Sequence, residues 1–179
     1  MTTDFALLLL RLVVGGLMVG HGTQKLFGWF GGYGFSGTAA FFGSMLRLRP
    51  AGLWVAAAGL SEAGGGLLLT LGFLGPLGAL GIVAAMTMAT ALAHWPKLWV
   101  SENGFEYPLV VAVVATAVGL IGPGNLSLDA VLGIQVTEPT GFLAGLVPVI
   151  AGSLVALLTR VPAAAVGEQE TAGIRREAV

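Results

Sequence analysis

The stretch that decides the fold runs from Trp54 to Met86 and reads WVAAAGLSEAGGGLLLTLGFLGPLGALGIVAAM. It belongs to two apolar runs that meet at GFLGP, residues 72–76, a connection too short and too apolar for anything but a tight turn. Each run, at 52–74 and 75–93, has about the 20 residues that a helix needs to cross a bilayer core. The stretch therefore predicts two antiparallel membrane helices.

Three further apolar runs, at residues 5–22, 107–121 and 141–159, lie on either side of this pair. The chain of 179 residues is 56% hydrophobic and only 9% charged, and its mean hydropathy is +0.92. So few polar side chains do not cover the surface of a soluble globule, whereas helices satisfy their own backbone groups inside a bilayer. We therefore predict an all-α membrane protein with five spans.

Charge is distributed unequally between the two sides of this five-span map. Asp4, Asp129 and Glu138 lie on one side, and every cation except Arg11 lies on the other, which also carries the tryptophans at its edge. Because cytoplasmic loops are enriched in Lys and Arg, we predict a multi-pass protein of the cell membrane with its N-terminus outside and its C-terminus in the cytoplasm. The residues on the cationic side are Lys25, Arg47, Arg49, Lys97, Arg160, Arg175 and Arg176, with Trp29, Trp54, Trp95 and Trp99.

The segments outside the spans predict a connector and a tail. Ser36 is suited to cap a short helix from Gly37 to Leu48, which has an apolar and a polar side. This helix is interpreted either as an interfacial helix or as a packed connector between the first two spans. Residues 1–162 are predicted to form a single transmembrane domain, followed by a mobile cytoplasmic tail at 163–179.

Several kinds of chemistry are excluded by what the sequence lacks. The chain has no cysteine, which rules out thiolate metal sites, disulfide exchange and cysteine nucleophiles within it. No dinucleotide motif, phosphate-binding loop or Ser/His/Asp order is present, and the two histidines have no diagnostic metal spacing, so no metal is predicted. A net charge of -1 gives no basic footprint for nucleic acid.

Two charged residues are predicted to lie within the spans. Glu62 is near the middle of the second span, where an unpaired carboxylate is strongly disfavoured. Arg11 in the first span is placed about 6 Å away in depth at 1.5 Å per residue, so we predict an intramembrane ion pair between Arg11 and Glu62. The pair is interpreted either as a contact that fixes helix register or as a proton or ligand site.

A second group of polar side chains is predicted near the cationic side. His21, Gln24 and Lys25 share one helix face because they are spaced i, i+3 and i+4. His94, at the end of the third span, and Glu106, at the start of the fourth, reach the same level. We predict that these five form a ligand-binding or polar cluster, with two imidazoles that exchange protons near neutral pH. The alternative is an ordinary solvated helix end, and no residue is assigned a catalytic role.

Five pieces of sequence, taken in order, resemble the DoxX family of bacterial membrane proteins over about residues 5–130. The resemblance implies a four-helix transmembrane bundle, to which the span at about 141–160 is an addition. The pieces are HGTQKLFGWFGGYGFSGTAAFF from His21, SEAGGGLLLTLG around Glu62, MATALAHWPK leading to His94, GFEYPLV around Glu106 and GPGNLSLD from Gly122. The polar residues on the family's pattern positions are His21, Lys25, Glu62, His94, Glu106 and Asp129.

The resemblance also implies a role beside membrane redox systems, since family members look like small subunits or partners in quinone-linked thiosulfate oxidation and in methylamine utilisation. We therefore expect a non-catalytic subunit that lies in membrane lipid, organises oxidoreductase partners and holds a quinone-like ligand at the polar cluster. A homo-oligomer is an open alternative for its assembly. Two other functions stay open: a small transporter or proton pathway that uses Arg11 and Glu62, and a purely structural membrane protein.

Overall fold

The computed structural model describes residues 1–135 and 137–162, and this part of the chain is built from helices. Val136 and the predicted tail at 163–179 lie outside the described residues. Short 3-10 turns occupy Trp29–Gly31 and Val100–Glu102. The helices are α1 (Thr2–Phe27), α2 (Gly34–Ser44), α3 (Ala51–Leu71), α4 (Leu77–Ala89, continued by a π-helical turn at Thr90–His94), α5 (Glu106–Ile121), α6 (Leu128–Leu132) and α7 (Thr140–Leu158).

Four of these helices are long and apolar enough to cross a membrane: α1, α3, α4 with its π-helical turn, and α7. The helix predicted as the fourth span, α5, is apolar but has 16 residues, which corresponds to a length of about 24 Å. The helical class and the multi-pass membrane character predicted from the sequence are therefore confirmed.

The tight turn predicted between the second and third spans is present. Gly72 ends α3 in the left-handed conformation with φ 62°, which glycine adopts without a steric penalty. The carboxylate of Asp129, on α6, accepts hydrogen bonds from the backbone N–H groups of Leu74 (2.9 Å) and Gly75 (2.6 Å). Buried Asp129 thus satisfies the backbone groups that the turn leaves without partners.

Glycines bring α1 and α3 into close contact. A Cβ added to Gly66 would lie 2.6 Å from the carbonyl oxygen of Gly15, and Gly22 is similarly close to Gly59 and Ala63. Small residues permit this approach, and dispersion between the two backbones stabilises it. Gly64 is different, because no atom lies within 4 Å of a Cβ added there.

The short helix after the first span differs from its prediction. It was expected from Gly37 to Leu48 with a Ser36 cap, but α2 covers Gly34–Ser44 and no side chain caps its start. The chain leaves the helix early because the segment after it pairs with the end of α7. Leu48 and Arg160 form an isolated antiparallel bridge, and Val161 N–H donates to the Arg47 carbonyl oxygen (2.9 Å).

The last span, α7, packs mainly on α4 and is fixed at both ends. At its start the ring of Phe142 is 1% exposed and fills the space left by Gly119 on α5. Further along, Gly145 lies against Leu80 of α4. At its end the pairing with residues 46–49 holds the helix to the connector that follows α2.

The charges lie at opposite ends of this helical assembly. We call the end with Lys25, Arg47, Arg49, Lys97 and Arg160 the cationic end, where α1, α4 and α7 finish and α3 begins. The other end, with Asp4, Asp129 and Glu138, is the acidic end. There the Asp4 carboxylate accepts hydrogen bonds from the backbone and side-chain amides of Asn125, which fixes the start of α1 to the segment before α6.

Candidate functional site

The buried carboxylate of Glu62 is paired with Lys25, not with Arg11. Glu62 is 3% exposed, and its Oε2 lies 2.5 Å from the Lys25 ammonium nitrogen. The contacts of Gly22 with Gly59 and Ala63 place the end of α1 beside the middle of α3, within reach of a lysine side chain. The predicted ion pair between Arg11 and Glu62 is therefore wrong, because the cationic partner of Glu62 is Lys25.

Arg11 lies at the acidic end and is 1% exposed. Its guanidinium donates hydrogen bonds to the carbonyl oxygens of Leu69 (3.1 Å), Thr70 (3.2 Å) and Leu126 (3.0 Å), and also to that of Pro123. Leu69 and Thr70 are seven and eight residues beyond Glu62 on α3, a separation of about 11 Å along the helix. The glycine contacts set this register, which hydropathy alone does not define.

A cavity of about 940 Å³ lies between α2, α3, α4 and α7. Its lining runs along α4 from Leu77 to His94, a length of about 25 Å. Most of the wall is apolar, with α3 and α4 supplying alanines together with larger apolar side chains, and α7 supplying small residues that include Gly145 and Gly152. The result is a long, narrow, apolar slot of the size that small-molecule sites have.

A few polar groups interrupt this wall. The Lys25–Glu62 pair lies in the middle part, and Ser61 and Ser153 add hydroxyls. His94 and Asn103 line the slot towards the cationic end. Apolar walls with a small number of placed polar groups are typical of small-molecule binding sites.

The five residues predicted as one polar cluster do not all meet. Lys25 and His94 line the slot, but His21 packs on Tyr107 with 5.5 Å between ring centroids. Gln24 donates from Nε2 to the carbonyl oxygen of Phe30 (3.3 Å). Glu106 accepts a hydrogen bond from Val100 N–H (3.0 Å) and so holds the loop before α5.

Sequence reasoning missed the contribution of α7 to the site. Six of its residues line the slot, and the signal for them was the row of small residues at 145, 152 and 153 around Pro148. Small residues on one face of a membrane helix mark a surface that packs closely or leaves space. Which of the two applies depends on the facing helix, here α4.

These features define a class: a multi-pass helical membrane protein whose spans enclose an amphiphilic slot. The DoxX family model matches residues 6–95, which is half of the chain, and the chain belongs to this family. The matched part ends just after the π-helical turn, so α5, α6 and α7 follow it. No curated protein and no solved structure matches the chain.

Proposed function

We propose that this DoxX-family protein holds an amphiphilic, quinone-like ligand from the lipid phase and serves as a non-catalytic subunit of a membrane redox system. The observation that carries the proposal is the slot, which combines apolar walls with the Lys25–Glu62 pair and His94. A quinone has the complementary form, because it joins a polar ring to a long apolar chain.

The dimensions and chemistry of the slot favour such a ligand over a compact polar metabolite. Its length of about 25 Å suits an extended chain, and its apolar wall gives no compensation for burying several polar groups. The Lys25 ammonium has three N–H groups and Glu62 accepts from one of them. The others are suited to donate to an oxygen atom of the ligand ring.

Ligand retention in the native membrane tests this proposal. We expect protein purified with native lipid to release a quinone on solvent extraction, measured by mass spectrometry. Gly152→Leu and Ala84→Leu add bulk to the walls that α7 and α4 supply and should lower the bound amount at least several-fold. Ala151→Leu is the matched control, because Ala151 is exposed on α7 and does not line the slot. Wild-type protein without quinone, or equal loading in all variants, would contradict the proposal.

The proposed docking of oxidoreductase partners rests on the charge of the cationic end. Within the described residues, Lys25 is the cationic side chain there that has a carboxylate partner. Arg49 and Lys97 are exposed and suited to contact an acidic protein surface. Cross-linking in native membranes should capture an oxidoreductase, and Arg49→Glu with Lys97→Glu should abolish capture while quinone loading is retained. Capture that is insensitive to charge reversal would count against docking at this end.

The proposed orientation places five spans in the membrane, including α5, with the cationic end in the cytoplasm. The excess of Lys and Arg at that end supports it. A reporter that is active only in the cytoplasm should then give a signal when it is fused after the C-terminus, and a reporter that is active only in the periplasm should not. A periplasmic reporter signal would reverse the orientation.

A proton pathway is the second candidate, favoured by the burial of the Lys25–Glu62 pair within the spans. It predicts proton flux in proteoliposomes that Glu62→Gln abolishes. Arg11 is not part of this candidate, because backbone carbonyls satisfy its guanidinium at the acidic end. No proton flux through the wild type, or equal flux through the wild type and Glu62→Gln, would exclude the pathway.

A further inference from the structure

We propose that His94 makes the slot select ligands with a hydroxyl donor, so that it holds a quinol in preference to the corresponding quinone. This inference rests on the proposed function and specifies the redox state of the ligand. It follows from the hydrogen bond that fixes the His94 ring.

That bond joins His94 Nδ1 to the backbone carbonyl oxygen of Asn103 over 2.7 Å. A carbonyl oxygen only accepts, so Nδ1 carries the hydrogen atom and donates it. In the neutral imidazole the other nitrogen, Nε2, is then a hydrogen-bond acceptor. Within the described residues Nε2 has no partner, and it is the remaining polar atom of a ring that lines the slot.

The loop that supplies the Asn103 carbonyl is held in place by several hydrogen bonds. Asn103 adopts φ 60° and donates its N–H to the Val100 carbonyl oxygen (3.0 Å). The Glu106 carboxylate accepts from Val100 N–H (3.0 Å), and Glu106 N–H donates to the Leu98 carbonyl oxygen (2.8 Å). The acceptor for Nδ1 is therefore positioned by the loop itself, and Glu106 acts as a positioning residue.

The backbone of α4 changes at the end of its length along the slot. Residues 90–94 form a π-helical turn, and Leu92, Ala93 and His94 all line the cavity. A π-helical turn widens the helix and alters the direction of its side chains, and such turns are frequent at functional sites. Here the turn ends at His94, whose acceptor nitrogen has no partner in the part of the chain that the structure describes.

The two redox states of the ligand meet Nε2 differently. A quinol hydroxyl donates a hydrogen bond to it, whereas a quinone oxygen only accepts and would leave both atoms without a hydrogen bond. Once a bound ligand excludes water from around His94, an unpaired polar group there is costly, and sites built to bond a hydroxyl reject analogues without one. The Lys25 ammonium does not discriminate, because it can donate to either oxygen.

The test compares a matched quinol and quinone with the same decyl tail. Full-length protein in nanodiscs of defined lipid is titrated without oxygen, and binding is measured by quenching of tryptophan fluorescence, since Trp54 lines the slot. We expect the quinol to bind about tenfold more tightly, as the net contribution of one hydrogen bond implies. The quinol with both hydroxyls methylated should bind as weakly as the quinone.

His94→Phe should bring the two affinities together, mainly by weakening quinol binding. His21→Phe is the matched control, because His21 packs on Tyr107 and does not line the slot, and it should keep the preference. If His94→Phe does not fold, the wild-type ratio and the methylated quinol decide the question. Equal affinities, or tighter quinone binding, would overturn the inference while leaving the proposed function intact. Failure of both forms to bind would overturn the proposed function itself.

Discussion

Two buried charges in this protein are stabilised in different ways. Arg11 is surrounded by carbonyl dipoles and needs no anion within bonding distance, whereas Glu62 is held by a direct ion pair with Lys25. The sequence shows that burying either charge within a span is costly unless a partner group stabilises it. It does not identify their partners, because the partner depends on how far α1 is shifted along α3. That shift is set by close glycine contacts between distant parts of the chain.

The Lys25–Glu62 pair predicts a characteristic pattern of stabilities. Lys25→Met leaves a buried carboxylate without its cation, so we expect a loss of about 3 kcal/mol or more in the free energy of unfolding. The double variant Lys25→Met with Glu62→Leu removes both charges and should recover most of that loss. Thermal unfolding in detergent compares the stabilities of the wild type, the single variant and the double variant. A double variant less stable than Lys25→Met would show that the pair does not act as described.

Glu138, outside the spans at the acidic end, predicts a pH dependence. Both of its carboxylate oxygens are shielded from solvent, and the nearby backbone N–H of Phe142 offsets only part of the cost of burying them. Burial raises the pKa of Glu138 above its ordinary value of 4.5. A carboxyl group that is harder to ionise in the folded state costs stability as the pH rises from the unfolded pKa through the folded pKa, and the cost then persists.

Glu138→Gln removes that cost while keeping the size of the side chain. We expect it to raise the melting temperature by a few degrees at pH 7 and to change it little at pH 4. The matched control is Glu102→Gln, at an exposed residue of the other end, which should have no such pH-dependent effect. Equal changes at both pH values would contradict the assigned role of burial.

At the scale of single elements, the sequence predicts the spans well and their ends less well. The α3–α4 turn was predictable because local chemistry sets both of its ends: Gly72 terminates α3, and Pro76 directly precedes the start of α4. The end of α2 was not, because Arg47, Leu48 and Arg49 pair with the chain that follows α7. A boundary that depends on a partner more than a hundred residues away leaves no local signal.

The close packing of α1 on α3 predicts opposite effects for two neighbouring glycines. Gly66→Ala places a Cβ 2.6 Å from the Gly15 carbonyl oxygen, so we expect a loss of about 1–3 kcal/mol. Gly64→Ala meets no atom within 4 Å and should be neutral or stabilising by up to about 1 kcal/mol, since alanine favours helix. Chemical or thermal unfolding measures the change in stability of each variant. Similar effects at the two positions would refute the contact.

At the scale of the whole molecule, the slot is completed by an element that lies beyond the part matched to the family. The sequence predicted α7 as an added span and the polar residues Lys25 and His94, but not that they would border one cavity. Hydropathy shows whether a helix is apolar. It does not show where a cavity remains between that helix and its neighbours. The site therefore could not be predicted without knowing how α7 packs on α4.

The position of α7 predicts the effect of removing it. A chain that ends at residue 135 keeps Lys25, Glu62 and His94 but loses one wall of the slot, so we expect bound quinone to fall below detection. Phe142→Ala is a milder test, since it weakens the attachment of α7 without changing a lining residue. Its quinone loading should lie between those of the wild type and the truncated chain. Full retention by the truncated chain would exclude α7 from the site.

The pairing of residues 46–49 with residues 159–161 joins the connector after α2 to the finish of α7. Translation produces these partners far apart in time, because more than 100 of the 179 residues are made between them. Until the last span enters the bilayer, the groove along α4 is open sideways to the surrounding lipids. Insertion of that span supplies the missing wall of the groove, so the quinone-like ligand that we propose would be retained only when the newly made protein completes its assembly.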